Sequence, residues 1–467
     1  MSKEAEGLDM DNFNIELVLD FISNNLEQVG IGFFILIAFV STRKKRKQSK
    51  LAKEKWQKTV EKNLNEPISL HPKINKALCT GCTACVKACP EGEILQIIDH
   101  KAFLVHPSKC VGHGACEAAC PMGGIDLVFG TKTRGMEIPR ITPEYETNVA
   151  GLYIAGELGG MGLIRNATKQ GTLAIDDAVK KLKKTTQTDV DVFIVGSGPA
   201  GFAAALNCAK NNVSYVCIDQ NSFGGTIFNF PKKKIVTSHP IELPLAGPKK
   251  FKRNVVQKEE ILDFFEEVKK KFKIKIQEKE SFKGLSGKDQ NFKITTSKGS
   301  YTAKKVLLCM GLRGSPRKLG LENEDTKKVM YNLLDPEEFQ NAHIAIVGGG
   351  NAALESAQYL ARKQYKNTIT LLVRDSKDDG FARALEDNQK LVYDLEQQGL
   401  LNISFHSSIS KINETSILIK KLDDEIELKN DYIFVFAGAE MPHKFLMSLG
   451  IEIDKAHGEI RGKKLAS

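Results

Sequence analysis

Cysteine spacing is the feature that most restricts how this chain can fold. Seven of its ten cysteines lie between Cys79 and Cys120, in two short runs that each end in Cys–Pro. The first run is CTGCTACVKACP; the second, CVGHGACEAACP, has His113 where a further cysteine would continue the spacing. Disulfide frameworks suit small secreted domains rather than a chain of 467 residues, so we expect these cysteines to bind metal.

The two runs resemble the bacterial ferredoxins that hold two iron–sulfur clusters, over roughly Pro72 to Phe129. In that pattern, three closely spaced thiolates wrap one 4Fe–4S cluster, and the fourth binds the other cluster. The resemblance implies one cluster on Cys79, Cys82, Cys85 and Cys120, and a second cluster on Cys89, Cys110, Cys116 and His113. Structural zinc is the alternative, although zinc sites use two cysteine pairs separated by a long gap.

His113 makes the second cluster unusual. A neutral imidazole in place of a thiolate would leave the cluster less negative and raise its reduction potential. Two alternatives stay open. The three cysteines alone would hold a 3Fe–4S cluster, or the fourth ligand would come from His106 or from water.

A nucleotide-binding unit begins at Asp189 with the sequence DVDVFIVGSGPAGFAAALNCAKNNVSYVCID. This sequence predicts a strand, a glycine turn, a helix and a second strand. Gly196 permits the tight turn, Gly198 lets the backbone approach a pyrophosphate, and Gly201 allows close packing of the helix. Asp219 ends the second strand, where an acid can bind the adenosine ribose.

A second unit follows, with the sequence AHIAIVGGGNAALESAQYLARKQYKNTITLLVRD. Its loop and the end of its second strand supply Gly348, Gly350, Ala353, Arg374 and Asp375. An acid at the strand end favours NAD, whereas an arginine favours the 2′-phosphate of NADP. Because Arg374 comes first and Arg383 follows it, NADPH is favoured.

Together, the two units resemble the thioredoxin-reductase-like branch of the pyridine-nucleotide flavoproteins. The resemblance implies an α/β fold in which the first unit binds FAD, and the second, inserted into the FAD domain, binds NAD(P)H. On the same resemblance the segment FGGTIFNFP adds Gly225 and Thr226 to the FAD site. No Cys–x–x–Cys pair follows Cys120, so the direct dithiol chemistry of thioredoxin reductase is not expected.

One strand of the FAD domain stands in an unexpected place. That family closes with a strand ending in Gly–Asp, followed by a helix that begins near the flavin. Here the matching stretch, TNVAGLYIAGELGGMGLIRNATKQG, precedes both units and carries Gly156–Glu157, with Arg165 and Asn166 at the start of the helix. We therefore predict a circularly permuted FAD domain. The alternative is that residues 131–180 complete the FAD domain of a neighbouring chain.

The N-terminal region combines an apolar run, Val29 to Thr42, with a block from Arg43 to Lys58 that holds nine basic residues and one acid. Fourteen residues fall short of the ~20 that span a bilayer, but a tilted helix that includes part of the preceding NFNIELVLDFIS would be long enough. The basic flank favours anionic lipid and a cytoplasmic body. We expect a membrane anchor, either spanning or peripheral. The net charge of +10 is concentrated in this block rather than in a folded domain, which argues against a nucleic-acid partner.

The predicted fold is therefore a two-domain α/β flavoprotein with an α+β ferredoxin-like domain and an N-terminal transmembrane helix. The predicted segments are the anchor (1–50), a linker (51–71), the ferredoxin domain (72–130), the displaced part of the FAD domain (131–185), the FAD-binding domain (186–325), the NAD(P)-binding domain (326–428) and a return to the FAD domain (429–467).

The predicted function is an oxidoreductase in which FAD, the converter between two-electron and one-electron carriers, links NAD(P)H to two iron–sulfur clusters and an unknown acceptor or donor at the membrane. No catalytic acid or base is assigned. The alternatives are a ferredoxin-linked disulfide reductase that uses Cys309 and a redox sensor without turnover. A homodimer is a further expectation.

Overall fold

A long helix, a small cysteine-rich module and two α/β units make up the computed structural model. The structure describes residues 26–61, 66–67, 70–133, 135–160, 162–184, 187–237, 240–251, 255–312, 316–438 and 442–460. The helices are α1 (Leu26–Glu61), α2 (Ala84–Ala88), α3 (Ala115–Ala118), α4 (Ile164–Lys180), α5 (Pro199–Lys210), α6 (Lys258–Lys271), α7 (Asn351–Leu360), α8 (Glu386–Gln397) and α9 (His443–Ser448).

Short strands alternate with these helices along the chain. The strands are β1 (His71–Ile74), β2 (Leu95–Ile98), β3 (Lys101–Leu104), β4 (Ile125–Phe129), β5 (Met136–Pro139), β6 (Leu152–Ile154), β7 (Val190–Val195), β8 (Tyr215–Ile218), β9 (Ile235–Thr237), β10 (Ile241–Leu243), β11 (Gly247–Lys249), β12 (Val255–Gln257), β13 (Phe282–Lys288), β14 (Asn291–Thr296), β15 (Ser300–Leu308), β16 (Val329–Met330), β17 (His343–Val347), β18 (Thr368–Leu372), β19 (Asn402–Ser404), β20 (Ser407–Ile412), β21 (Ser416–Lys421), β22 (Asp424–Lys429), β23 (Tyr432–Val435), β24 (Ile453–Ala456) and β25 (Glu459–Ile460).

Helix α1 continues from the apolar run straight into the basic block. Its apolar half is exposed, with Phe34 at 72% and Ile35 at 64%. Across the described residues, no helix is apolar over enough of its length to cross a membrane, so the predicted transmembrane helix is not found there. The reason is the basic block, which begins at Arg43 and interrupts the apolar run. The segment NFNIELVLDFIS and the other residues of 1–25 lie outside the described residues.

The basic half of α1 packs against the cysteine-rich module. Ala52 is buried with Ile98 and Val105, and the rings of Trp56 and Phe103 meet edge to face at 6.1 Å. Residues 51–61, predicted as the beginning of a linker, are therefore a helical part of this interface.

The cysteine-rich module is built from β1 paired with β4, the hairpin of β2 and β3, and the short helices α2 and α3. The end of the chain completes it. Strand β25 pairs with β4, and β24 pairs with β5, both antiparallel. Arg140 supports the second pairing because its guanidinium donates hydrogen bonds of 2.6 to 3.1 Å to Asp454. The segment predicted as a return to the FAD domain packs Leu446 and Ile451 with Leu152 and Phe193 of the first α/β unit, and β25 then joins the cysteine-rich module.

The first α/β unit contains a sheet with the strand order β13-β14-β15-β7-β8. Strand β6 adds to this sheet in parallel with β15, where Leu152 to Ile154 align with Val306 to Leu308. Helix α4 then packs on α5, whose residues from Ala200 to Cys208 are all buried. Residues that precede the first glycine turn therefore form part of its sheet and helix layer.

The second α/β unit has a wholly parallel sheet, in the order β16-β23-β17-β18-β19, and a three-stranded antiparallel sheet of β20, β21 and β22. Ion pairs contribute to the contact between this unit and the first unit. Lys232 lies 3.1 Å from Asp335 and 3.1 Å from Glu337, and Lys234 pairs with Glu355.

The α4–α5 contact generates a testable prediction. A Cβ atom on Gly171 would overlap the backbone oxygen of Ala200, which cannot move aside as a flexible side chain can. We expect Gly171→Ala to lower the free energy of unfolding by ~1–3 kcal/mol, the usual effect of overpacking, and to weaken flavin retention. Thermal melts and the ratio of flavin to protein after gel filtration measure both effects.

Gly299→Ala is the matched control, because no atom lies within 4 Å of its added Cβ. Equal melting temperatures for the two variants would contradict tight α4–α5 packing.

Candidate redox site

The first glycine turn has the geometry of a dinucleotide-binding loop. Gly196 follows β7 with φ +100°, and its added Cβ would lie 2.5 Å from the backbone oxygen of Cys309. Gly198 precedes α5, and an added Cβ on Gly201 would overlap the backbone oxygen of Gly196. Asp219 closes the turn by accepting hydrogen bonds from Ser197 N at 2.7 Å and from Ser197 Oγ at 2.9 Å. The close approaches at this turn are those that glycine alone permits.

The displaced segment reaches the same loop. An added Cβ on Gly156 would lie 3.2 Å from the Cβ of Ala200, at the start of α5. Gln170 holds this position, because its Oε1 accepts a hydrogen bond of 2.8 Å from Gly156 N. Its Nε2 is buried and has no hydrogen-bond partner among the described residues. Buried polar groups are usually hydrogen-bonded, so this N–H donor fits a site in which a bound ligand supplies the acceptor.

Residues that the sequence assigns to the FAD domain also come together. A Cβ on Gly311 would lie 3.8 Å from Glu157 Oε2 and 3.9 Å from Thr226 Oγ1. A Cβ on Gly225 would lie 2.8 Å from the Cα of Gly198. The residues predicted for FAD from three separate stretches therefore surround one glycine-lined cradle, which fits a dinucleotide approached closely by backbone.

The second glycine turn is similar. Gly348 has φ +133°, and its added Cβ would lie 2.6 Å from the backbone oxygen of Phe436. Gly350 precedes α7, and Ala353 is buried at the first turn of that helix. Arg374 follows β18 with its side chain 85% exposed, 3.6 Å from Asp375. Both residues that bear on the choice between NAD and NADP therefore stand at the surface beyond this turn.

The structure brings Cys79, Cys82 and Cys85 together. Burial raises the pKa of Cys85, and the neighbouring thiols of Cys79 and Cys82 raise it further. Backbone amides face two sulfurs, since Ala102 N donates to Cys79 Sγ and Gly124 N donates to Cys120 Sγ, each at 3.3 Å. We name Cys79, Cys82, Cys85 and Cys120 the first cysteine set. Cys82 is exposed, so this set reaches the surface of the module.

Cys89, Cys110, Cys116 and His113 line one cavity, and we name the three cysteines the second cysteine set. Burial raises the pKa of Cys110 to about 11, with an added contribution from Cys89. Burial likewise raises the pKa of Cys116 to about 12, with an added contribution from Cys110. Cys89 thus leaves the run in which it occurs and joins the other run, as the ferredoxin resemblance implies.

These donors suit an iron–sulfur cluster chemically. Thiols with such raised pKa values stay protonated at neutral pH unless a metal binds them and releases the protons. In the part of the chain that the structure describes, no three His, Cys, Asp or Glu side chains converge as they would on a single metal ion. A cluster places its ligands around a multi-iron core instead, with each thiolate on its own iron.

His113 links this cavity to the predicted flavin segment. Its backbone oxygen accepts a hydrogen bond of 3.5 Å from Arg165 Nη2, at the start of α4. Its Nε2 lies 3.3 Å from Glu91 Oε1. Gly160 packs on the ring of Phe129, since its added Cβ would lie 2.7 Å from that ring. The second cysteine set therefore adjoins the stretch that carries Gly156 and Glu157.

Cys309, the residue of the disulfide-reductase alternative, is buried at the end of β15. Burial raises the pKa of its thiol well above the usual value, so the nucleophilic thiolate is scarce at neutral pH. The backbone oxygen of Cys309 faces Gly196, which gives the residue a structural role in the turn.

Comparison with known proteins agrees with this architecture. Residues 193–461 match the family model of the pyridine nucleotide-disulphide oxidoreductases, and residues 71–121 match a 4Fe–4S dicluster domain. Bacilliredoxin reductase from Bacillus subtilis is 25% identical over 57% of this chain and 82% of its own length. A ferredoxin–NADP reductase from Ignicoccus hospitalis is 28% identical over 59% of this chain and 83% of its own length. Thioredoxin reductase from B. subtilis is 26% identical over 58% and 80%.

Among solved structures, bacillithiol disulfide reductase from Staphylococcus aureus superposes with a TM-score of 0.51 at 22% identity, covering 57% of this chain and 81% of that chain. The chain belongs to the pyridine nucleotide-disulphide oxidoreductase family and carries a 4Fe–4S dicluster domain. It is an NAD(P)H-dependent flavin oxidoreductase, with FAD and NAD(P) as the cofactors of its family.

Sequence reasoning missed four residues of this site: Gln170, Glu91, Lys109 and Glu386. Lys109 lies immediately before Cys110 of the second cysteine set. Its Nζ lies 3.0 Å from Oε1 of Glu386, at the start of α8 in the second α/β unit. None of the four belongs to a recognised motif. Each is positioned by a contact with a residue that is distant in sequence or by its place next to a cysteine of the module.

The burial of Cys309 generates a prediction. We expect iodoacetamide at neutral pH to leave Cys309 unmodified in the folded, cluster-loaded protein, because its thiol is inaccessible and protonated. Peptide mass spectrometry after denaturation in guanidinium, with and without prior labelling, provides the measurement and its control. Rapid labelling of Cys309 in the folded protein, together with loss of disulfide reduction in Cys309→Ser, would restore the disulfide-reductase alternative.

Proposed function

We propose that this chain transfers electrons between NAD(P)H and a one-electron acceptor or donor, with FAD in the first α/β unit and an iron–sulfur cluster on each cysteine set. Bound FAD exchanges a hydride with the nicotinamide and single electrons with clusters. The chain's own residues bind and orient these groups. The carrying observation is the hydrogen bond from Arg165 to the backbone of His113, which joins the flavin segment to the second cysteine set.

The chain positions the two cysteine sets differently. The second set lies beside α4 and beside α8, through Arg165 and through Lys109. The first set includes the exposed Cys82, with exposed Leu78 and Met122 in the same module. We infer that an acceptor or donor protein approaches the first set, whereas the second set faces the nucleotide-binding units.

The test of this function is reduction by NAD(P)H under anaerobic conditions. Gly225→Ala should bind little flavin, because the added Cβ would lie 2.8 Å from Gly198 Cα. In that variant we expect NAD(P)H to leave the clusters oxidised, whereas dithionite still reduces them. Flavin absorbance and low-temperature EPR report the two groups separately.

Gly299→Ala again serves as the control and should behave as the wild type. If clusters in flavin-free protein were reduced by NAD(P)H as fast as in the wild type, FAD would not be the intermediary and the proposal would fail.

We further propose that His113 is the fourth ligand of the second cluster. Its presence in the cavity with Cys89, Cys110 and Cys116 supports this assignment over a distant ligand. His106, the alternative, has its Nδ1 3.5 Å from Thr59 Oγ1 on α1, and it does not line that cavity.

Replacing His113 tests the ligand role. His113→Cys should lower the potential of one cluster, because a thiolate adds negative charge next to the iron. Pulsed EPR of the reduced wild type should show strong nitrogen coupling at one cluster, and the variant should lose it. A 3Fe–4S signal without nitrogen coupling in anaerobically prepared wild type would rule out the ligand role.

NADPH is the proposed nicotinamide. The exposed guanidinium of Arg374 supports this choice, since it is available for a 2′-phosphate beyond the second glycine turn.

Arg374→Ala should therefore raise the KM for NADPH by ~10-fold or more, the effect of losing one charge-assisted contact, while the KM for NADH changes little. Steady-state kinetics with both nucleotides measure the difference. Asp375→Ala is the neighbouring control and should not selectively weaken NADPH. Equal effects of Arg374→Ala on both nucleotides would contradict the assignment.

A circular permutation of the FAD domain is proposed to explain the order of its parts. Support comes from the parallel pairing of β6 with β15 and from the packing of α4 on α5 within one chain. The same contacts favour this proposal over completion of a neighbouring chain's domain.

We also propose that α1 attaches the protein to the surface of an anionic membrane, with the nucleotide-binding units in the cytoplasm. The exposed apolar residues of α1, followed by the basic block, have the composition of an interfacial helix.

A further inference from the structure

The cavity of the second cysteine set contains one acid, Glu91. Its Oε1 lies 3.3 Å from His113 Nε2, and the two side chains are only 22% and 9% exposed. Glu91 follows Cys89 at a distance of two residues, with Pro90 between them. The short segment that supplies one cysteine ligand therefore also places a carboxylate against the imidazole.

The backbone of His113 is fixed independently of this contact. Gly112 has φ +75° and Gly114 has φ +77°, so His113 stands between two left-handed glycines. A Cβ on Gly112 would lie 2.7 Å from the backbone oxygen of Leu70, which allows no other residue there without movement. The Arg165 hydrogen bond holds the carbonyl of His113. Glu91, in contact with Nε2, is placed to fix the direction of the imidazole ring.

We propose that Glu91 is a positioning residue for the second cluster: it accepts the Nε2 proton of His113, and Nδ1 then carries the lone pair that binds iron. This inference rests on the proposed ligand role of His113. Histidines that bind metals commonly donate their other ring N–H to a carboxylate, which fixes the tautomer and the ring orientation and makes the ligand more basic. The two nitrogens lie on different edges of the ring, so occupation of Nε2 selects Nδ1.

A plain ion pair between Glu91 and an imidazolium is the competing explanation. An imidazolium has both nitrogens protonated and cannot bind iron, so the two explanations differ in what the cluster experiences. Pulsed EPR separates the two explanations, because only an imidazole nitrogen bound to iron gives strong nitrogen coupling at the cluster.

Two substitutions at one position separate orientation from charge. Glu91→Gln keeps an oxygen that accepts the Nε2 proton but removes the negative charge, so nitrogen coupling in pulsed EPR should persist while the cluster potential rises. Glu91→Ala removes the acceptor, so the nitrogen coupling should weaken or disappear. Iron loss to a chelator should become ~10-fold faster or more, as second-sphere changes at metal sites generally cause.

Glu93→Gln is the matched control, because Glu93 is 66% exposed, pairs with Lys55 and does not line the cavity. It should match the wild type in coupling, potential and iron retention. His113→Cys provides a second control. Because this variant has no imidazole to orient, adding Glu91→Ala to it should not further change the rate of iron loss.

The outcomes distinguish this inference from the proposals beneath it. Wild-type nitrogen coupling with unchanged coupling and iron retention in Glu91→Ala would overturn the role of Glu91 and leave the ligand role of His113 intact. Absence of nitrogen coupling in the wild type would overturn both. NAD(P)H oxidation is measured separately, so its failure bears on the proposed function alone.

Discussion

The parallel pairing of β6 with β15 is the contact on which the rest of the arrangement depends. It places Gly156 and Glu157 beside a glycine turn that begins much later in the chain, and it positions α4 against α5. The same short stretch carries Arg165 to the loop of His113. A single strand register therefore sets the relation between the glycine-lined cradle and the second cysteine set. A slip of one residue would exchange the two faces of β6 and displace the residues that follow it.

The titratable and charged groups of this molecule lie in two kinds of surroundings, one shielded from solvent and one accessible to it. In the second cysteine set Cys116 is buried, Cys89 and Cys110 are partly buried, and burial raises the pKa values of all three, so thiolate charge there requires compensation by a bound cation or cluster. The contacts between the α/β units, by contrast, include ion pairs of the accessible Lys232 with Asp335 and Glu337. Exposed ion pairs contribute little, ~0–1 kcal/mol each, so these pairs add little to the stability of the junction. Polar interfaces of this kind permit relative movement of domains.

Much of this architecture was predictable because its signals are local. The ferredoxin resemblance implied the grouping of Cys89 with Cys110 and Cys116, which line one cavity, and strand–turn–helix patterns predicted both nucleotide loops. The strand–turn–helix pattern also marks Gly196 and Gly348 as the positions of tight approach, although the backbone atoms that they approach belong to Cys309 and Phe436, far away in sequence. The site assignments that depend on bound groups remain predictions.

What the sequence did not reveal depends on contacts between distant segments. No periodicity or motif in the sequence marks the packing of α1 on Phe103, the position of Gln170 beside Gly156, or the ion pair of Lys109 with Glu386. The spanning helix was inferred from an apolar run together with a segment outside the described residues. The basic residues after Thr42 end that run too early for the described helix to cross.

The strand at the end of the chain has a consequence for biosynthesis. Strand β4 lies between β1 and β25, so among the described residues its second edge is covered by β25, which is translated long after β4. During translation, the cysteine-rich module emerges first but keeps an open strand edge until both nucleotide-binding units have been made. Such an edge can pair with other chains. Closure of this sheet therefore has to wait for residues that are translated after both nucleotide-binding units.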